Sequence, residues 1–76
     1  MNDETSGVIA IVAQVLNVPP ASIPPDASMD TLPDWDSLAQ LNICLLVEER
    51  YGVDMDMDAI AAAVSVPALA ALVARR

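Results

Sequence analysis

"DSLAQLNICLLVEERYG", residues 36–52, reads as one complete helix with both ends marked. Apolar residues fall at three- and four-residue steps: Leu38, Leu41 and Leu45 on one stripe, Ile43, Val47 and Tyr51 on another. Gly52 stands where a helix closes on a left-handed residue. At the other end, Ser37-Leu38-Ala39-Gln40 matches the capping box S-x-x-Q, and Asp34 or Asp36 could equally cap. The segment therefore predicts a helix over Ser37–Tyr51. One stripe is enough to bind a helix to a small core. The second stripe leaves two readings: a helix buried all round, or an exposed apolar strip that receives a partner.

Working outward, Pro19, Pro20, Pro24, Pro25 and Pro33 cluster between Asn17 and Asp36 and mark one long loop. A loop of this length in a small domain needs anchors, and Ile23, Met29 and Leu32 are spaced to supply them. Before the loop, Val8, Ile11, Val12, Val15 and Leu16 give an amphipathic helix from Ser6 to Leu16. After Gly52, a short helix is expected over about Met57–Val64. A last one spans about Val66–Ala74, with Ser65 as N-cap, Pro67 in the first turn, and Arg75 and Arg76 at its negative end. The expected core is Val8, Ile11, Val12, Val15, Ile43, Val47, Tyr51, Ile60, Val66, Leu69 and Val73.

Composition supports a helical fold and narrows the function. Apolar residues make up 55% of the 76-residue chain, more than a disordered segment carries. With no Phe, one Trp and one Tyr, the core must be aliphatic, which favours helix packing. A single domain, residues 1–76, is the natural expectation. Net charge is −8, from eleven acids against three arginines. Phosphate contacts need Lys and Arg, so nucleic acid and anionic membrane are disfavoured. A partner with a basic face is favoured. The one cysteine, Cys44, cannot form an internal disulfide, lies in an apolar run and suits a reducing compartment. The polar, acidic start is wrong for a targeting peptide, and no apolar run approaches a membrane span. A cytoplasmic monomer is expected.

Catalysis is poorly provided for. The chain has no His and no Lys, so nothing evident would activate Ser37 as a nucleophile, and no G-x-S-x-G elbow surrounds it. Ser37 reads first as a helix cap. Its alternative is a modification site worked on by another enzyme, since a phosphate ester at a helix N-terminus meets unpaired N–H groups and the positive dipole end. "DMDMD" at Asp54–Asp58 matches the opening of a calcium loop. The match fails at position six, Ala59, and position twelve, Ser65, so no dedicated metal site is expected.

Around Asp36-Ser37-Leu38 the chain resembles the acyl carrier proteins over nearly its whole length. The motif opens a helix, follows a long pinned loop and leads to "EERYG" (Glu48–Gly52), while "SVPALAALV" (Ser65–Val73) is similar to the family's start of the last helix. The resemblance implies an all-α fold, a small antiparallel four-helix bundle with a long first loop and a short third helix. It implies a non-enzymatic carrier with a 4′-phosphopantetheine arm, transferred from coenzyme A onto Ser37, whose thiol carries acyl groups as thioesters. Asp36 would help the phosphopantetheinyl transferase position its metal and phosphate. Leu38, Leu41 and Leu45 would meet the acyl-loading and acyl-processing enzymes of fatty-acid, polyketide or related specialised biosynthesis. Glu48 and Glu49 would meet basic residues on those enzymes. The chain departs from the family pattern at Ala39 and Asn42, where acids are frequent, and at Trp35, where a small residue is usual. Peptidyl and aminoacyl carriers usually show a "GG-x-S" approach, absent here, so the acyl reading is preferred. An unmodified acidic helical adaptor is the alternative from another class.

Overall fold

The computed structural model describes residues 3–75. Its helices are α1 (Asp3–Leu16), α2 (Ser37–Tyr51), α3 (Met57–Ala62) and α4 (Val66–Ala74), with one 3-10 turn at Pro20–Ser22. No strand occurs among the described residues. The molecule is an all-α four-helix bundle with a long first loop and a short third helix. α1 packs against α2 and α4, and α3 lies against α2.

Local chemistry sets the helix ends. α1 starts three residues before the expected Ser6, with Asp3 and Glu4 in its first turn at the positive dipole end. It closes on Asn17, which adopts a left-handed φ of 59°. The Val18 N–H bonds to the Ala13 carbonyl at 3.0 Å and the Asn17 N–H to Gln14 at 3.3 Å, a Schellman closure. α2 ends on Gly52 at φ 67°, whose N–H reaches the Glu48 carbonyl at 2.9 Å. Asp56 caps α3 through the Ala59 N–H, and Ser65 caps α4 through the Ala68 N–H. α3 ends two residues before the expected Val64, because the chain there turns to pair with the long loop. Arg75 is the residue that closes α4; Arg76, also expected there, lies outside the described residues.

The loop is held at its middle by the α3–α4 junction. The Met29 N–H donates to the Val64 carbonyl at 3.0 Å, and the Val66 N–H donates to the Ala27 carbonyl at 2.9 Å. These bonds satisfy backbone groups that a buried loop would otherwise strand. Of the expected anchors Ile23 is buried, while Met29 and Leu32 are half-buried; Ala27 and Trp35 complete the set.

The core runs through Val8, Ile11, Val12, Ile43, Val47, Val66, Leu69 and Val73, all closed to solvent. Three expected core residues are only half-buried. Val15 lines a surface hollow near the end of α1, Tyr51 occupies the last position of α2, and Ile60 belongs to a helix with no fully buried residue. Tyr51 lies against α1 where Gly7 provides room: a methyl group there would overlap the phenol oxygen. Trp35, the largest fully buried side chain, comes from the loop and not from a helix.

Candidate functional site

Ser37 is the first residue of α2 and is exposed. It does not cap the helix. The cap is Asp36, in extended backbone, whose Oδ1 accepts the Ala39 N–H at 2.9 Å. The expected capping box also fails at its other member. Gln40 is 5% exposed and faces inward, so it cannot reach back to the helix start. Freed from capping, the Ser37 hydroxyl makes no hydrogen bond among the described residues and projects from the helix end where backbone N–H groups and the dipole favour an anion. A hollow of about 250 Å³ flanks it, lined by Val15, Leu16, Asp34, Asp36, Leu38, Ala39 and Asn42.

The carboxylate beside Ser37 is fixed by its capping bond, yet Asp36 remains exposed. Its second oxygen accepts no hydrogen bond among the described residues.

Along α2 the two stripes separate. Ile43 and Val47 are wholly buried, whereas Leu38, Leu41 and Leu45 are 68%, 46% and 54% exposed. Glu49 is exposed. Glu48 is half-buried and uses one oxygen to accept the Met55 N–H at 3.0 Å, so it also ties down the chain after α2. Met57, at the start of α3, is a fourth large exposed apolar residue; the alternating "DMDMD" leaves one methionine out while Met55 is buried. Among the described residues no group of three potential ligands could hold a metal ion. Asp56 in that run is spent on capping α3.

Cys44 is buried, and burial together with the Glu48 carboxylate pushes its thiol up to about 11. A protonated, enclosed thiol is a poor nucleophile. Any thioester chemistry must therefore use a thiol added from outside.

The polar residue that sequence reasoning misjudged is Gln40. Its Oε1 accepts the Trp35 indole N–H at 2.8 Å, and its Nε2 donates to the carbonyls of Ile60 at 2.7 Å and Ala63 at 2.8 Å. The signal was its place on the inward face, one turn from Ile43 and Cys44. The capping-box match hid it.

A family model described as the phosphopantetheine attachment site matches residues 6–73. The chain belongs to this family. It is a phosphopantetheine carrier and not an enzyme, bearing a covalent 4′-phosphopantetheine group and working with phosphopantetheinyl transferases and biosynthetic enzymes. Comparison with curated proteins and with solved structures returned no match. The carrier's geometry fits the group: an exposed, unbonded serine hydroxyl at a helix N-terminus, and no other reactive hydroxyl or thiol so placed on α2. No helix of the described residues is long and apolar enough to cross a membrane.

Proposed function

We propose that the chain is an acyl carrier protein and that Ser37 bears the arm. The observation that carries the reading is the division of labour at the start of α2: Asp36 caps, and Ser37 is left exposed with a free hydroxyl. The N–H groups of Ser37 and Leu38 lie in the first turn, where the helix dipole stabilises the phosphodiester charge. Asp36 is the acid that helps the transferase hold its metal and the phosphate of coenzyme A. When bound, the arm supplies a flexible thiol that carries the cargo as a thioester. Partner enzymes then dock on the exposed strip Leu38, Leu41 and Leu45, with Glu49 and the free oxygen of Glu48 meeting basic residues. Ala39 is buried and Asn42 is neutral where acids are frequent in acyl carriers. Docking therefore rests more on apolar contact than on charge.

The family match removes support from the unmodified adaptor. The acyl reading is preferred over the aminoacyl one because the "GG-x-S" approach is missing; Asp34-Trp35-Asp36 stands in its place. The test is intact mass after incubation with coenzyme A and a broad-specificity phosphopantetheinyl transferase. One arm should be added to the native chain and none to Ser37→Ala. Arm loading that persists on Ser37→Ala would overturn the site. Subsequent charging by acyl-loading but not by aminoacyl-activating enzymes separates the two cargo classes.

A further inference from the structure

The segment that presents Ser37 is fastened from the inside. Trp35 is 1% exposed, while its neighbours Asp34 and Asp36 are both exposed. The indole acts as a plug. Seating it in the core leaves the two carboxylates outside, where they line the hollow beside Ser37. This stretch precedes α2, so no helix ladder holds it. It has short-range backbone bonds instead: the Trp35 N–H donates to the Leu32 carbonyl and the Asp36 N–H to the Asp34 carbonyl, each at 3.0 Å.

One polar bond specifies how the indole sits. Its N–H can only donate, and burial obliges it to find an acceptor. That acceptor is Gln40 Oε1 at 2.8 Å. Gln40 holds this oxygen in place because its Nε2 is engaged by the Ile60 and Ala63 carbonyls. On the outside, the Gln40 N–H donates to the Asp36 carbonyl at 2.8 Å, and Asp36 Oδ1 accepts the Ala39 N–H at 2.9 Å. Asp36 and Ser37 are thus spanned by a buried side-chain bridge from Trp35 to Gln40 and by the first bonds of α2. Both bridging side chains are buried, so neither touches a transferase or coenzyme A.

We propose that Trp35 and Gln40 are positioning residues for arm attachment: their buried bond sets the Asp34–Ser37 segment in the form a transferase accepts before the two proteins meet. This rests on the reading that Ser37 bears the arm. Without the bond the segment samples other forms, and only the competent fraction is bound. The KM for the chain then rises by the inverse of that fraction, while kcat, which reports the bound complex, stays the same.

Loading kinetics of the unmodified chain test this, with saturating coenzyme A and a broad-specificity phosphopantetheinyl transferase. Trp35→Phe keeps an aromatic ring in the core and removes the donor. It should raise KM about three- to thirtyfold and leave kcat within about twofold. Val47→Ala, toward the other end of α2, weakens the core without touching the segment and should leave KM unchanged. In a Gln40→Met background Trp35→Phe should add nothing further to KM, since the bond is already gone. Trp35 is the sole tryptophan, so acrylamide quenching of its fluorescence should be slight in the native chain and stronger in Gln40→Met. If Trp35→Phe has the native KM, or one raised no more than that of Val47→Ala, the proposal is overturned and Ser37 stands as the arm site. Loading that persists on Ser37→Ala overturns both. KM effects of Trp35→Phe and Gln40→Met that multiply would show that the two act separately, against a pair. Should the substituted chains fail to fold, the native tryptophan emission decides: its maximum should be the same before and after arm attachment, and a shift would show that the segment was not set in advance.

Discussion

Two neighbouring residues at the start of α2 differ in what the helix asks of them. Asp36 satisfies a helix N–H, and Ser37 does not. Asp36→Ala should therefore cost about 1 kcal/mol of stability by loss of the cap. Ser37→Ala should cost less than about 0.5 kcal/mol, as expected of an exposed substitution. Denaturant melts of both variants check this; a larger loss from Ser37→Ala would mean that its hydroxyl caps after all. Cys44 gives a second prediction. Its neutral form is favoured by folding, since its pKa rises from 9.0 to about 11. That contribution is complete below pH 9 and is lost as pH climbs toward 11. Stability should fall across that window by on the order of 2–3 kcal/mol, and Cys44→Ala should flatten the decline. Equal slopes for the two chains in alkaline melts would contradict it.

At the scale of an element, α2 has two unlike apolar faces. Its inner face, Ile43 and Val47, is fully enclosed by the bundle. Its outer face starts beside Ser37 and runs through Leu38, Leu41 and Leu45. Val47→Ala should cost about 1–3 kcal/mol, through lost burial and the cavity left behind. Leu41 is 46% exposed, so Leu41→Ala should cost clearly less stability than Val47→Ala while weakening transfer to or from partner enzymes. Paired denaturant melts and a loading assay distinguish the faces. If Leu41→Ala unfolds the domain as severely as Val47→Ala, the outer stripe belongs to the core.

Over the whole molecule, charge is unbalanced. Eleven acids face three arginines, and seven of the acids lie between Asp34 and Asp58. Asp34, Asp36, Glu49, Asp54, Asp56 and Asp58 are all exposed. Their repulsion is screened over roughly 8–10 Å at physiological salt. Salt also weakens the favourable contacts of Asp36 and Asp56 with helix ends, each worth only about 0.3–1 kcal/mol. The many repulsive pairs dominate, so the melting temperature should rise between low and moderate salt. A flat or falling melting temperature would show that the caps outweigh the repulsion.

Much of the fold was legible in sequence because it rests on near neighbours. Helical spacing, Gly52 and the Ser65 cap mark α2 and α4 through contacts within one turn, and these bounds agree with the structure. The candidate serine was legible for the same reason: a short motif at a helix start. What the chain alone left open was settled by distant contacts. Whether the capping box closes depends on where Gln40 points. Gln40 points inward because Ile60 and Ala63, twenty and twenty-three residues away, offer unpaired carbonyls. Trp35 stood out only as a departure from a motif, yet it is buried in the core, since a loop pinned at Ala27 and Met29 folds it inward. Local energies placed the four helices in the chain, with the Gly52 closure of α2 and the Ser65 cap of α4. Only the tertiary structure decided which polar residues are spent on holding the bundle and which remain for chemistry, because each buried polar atom must find its partner wherever the fold brings one.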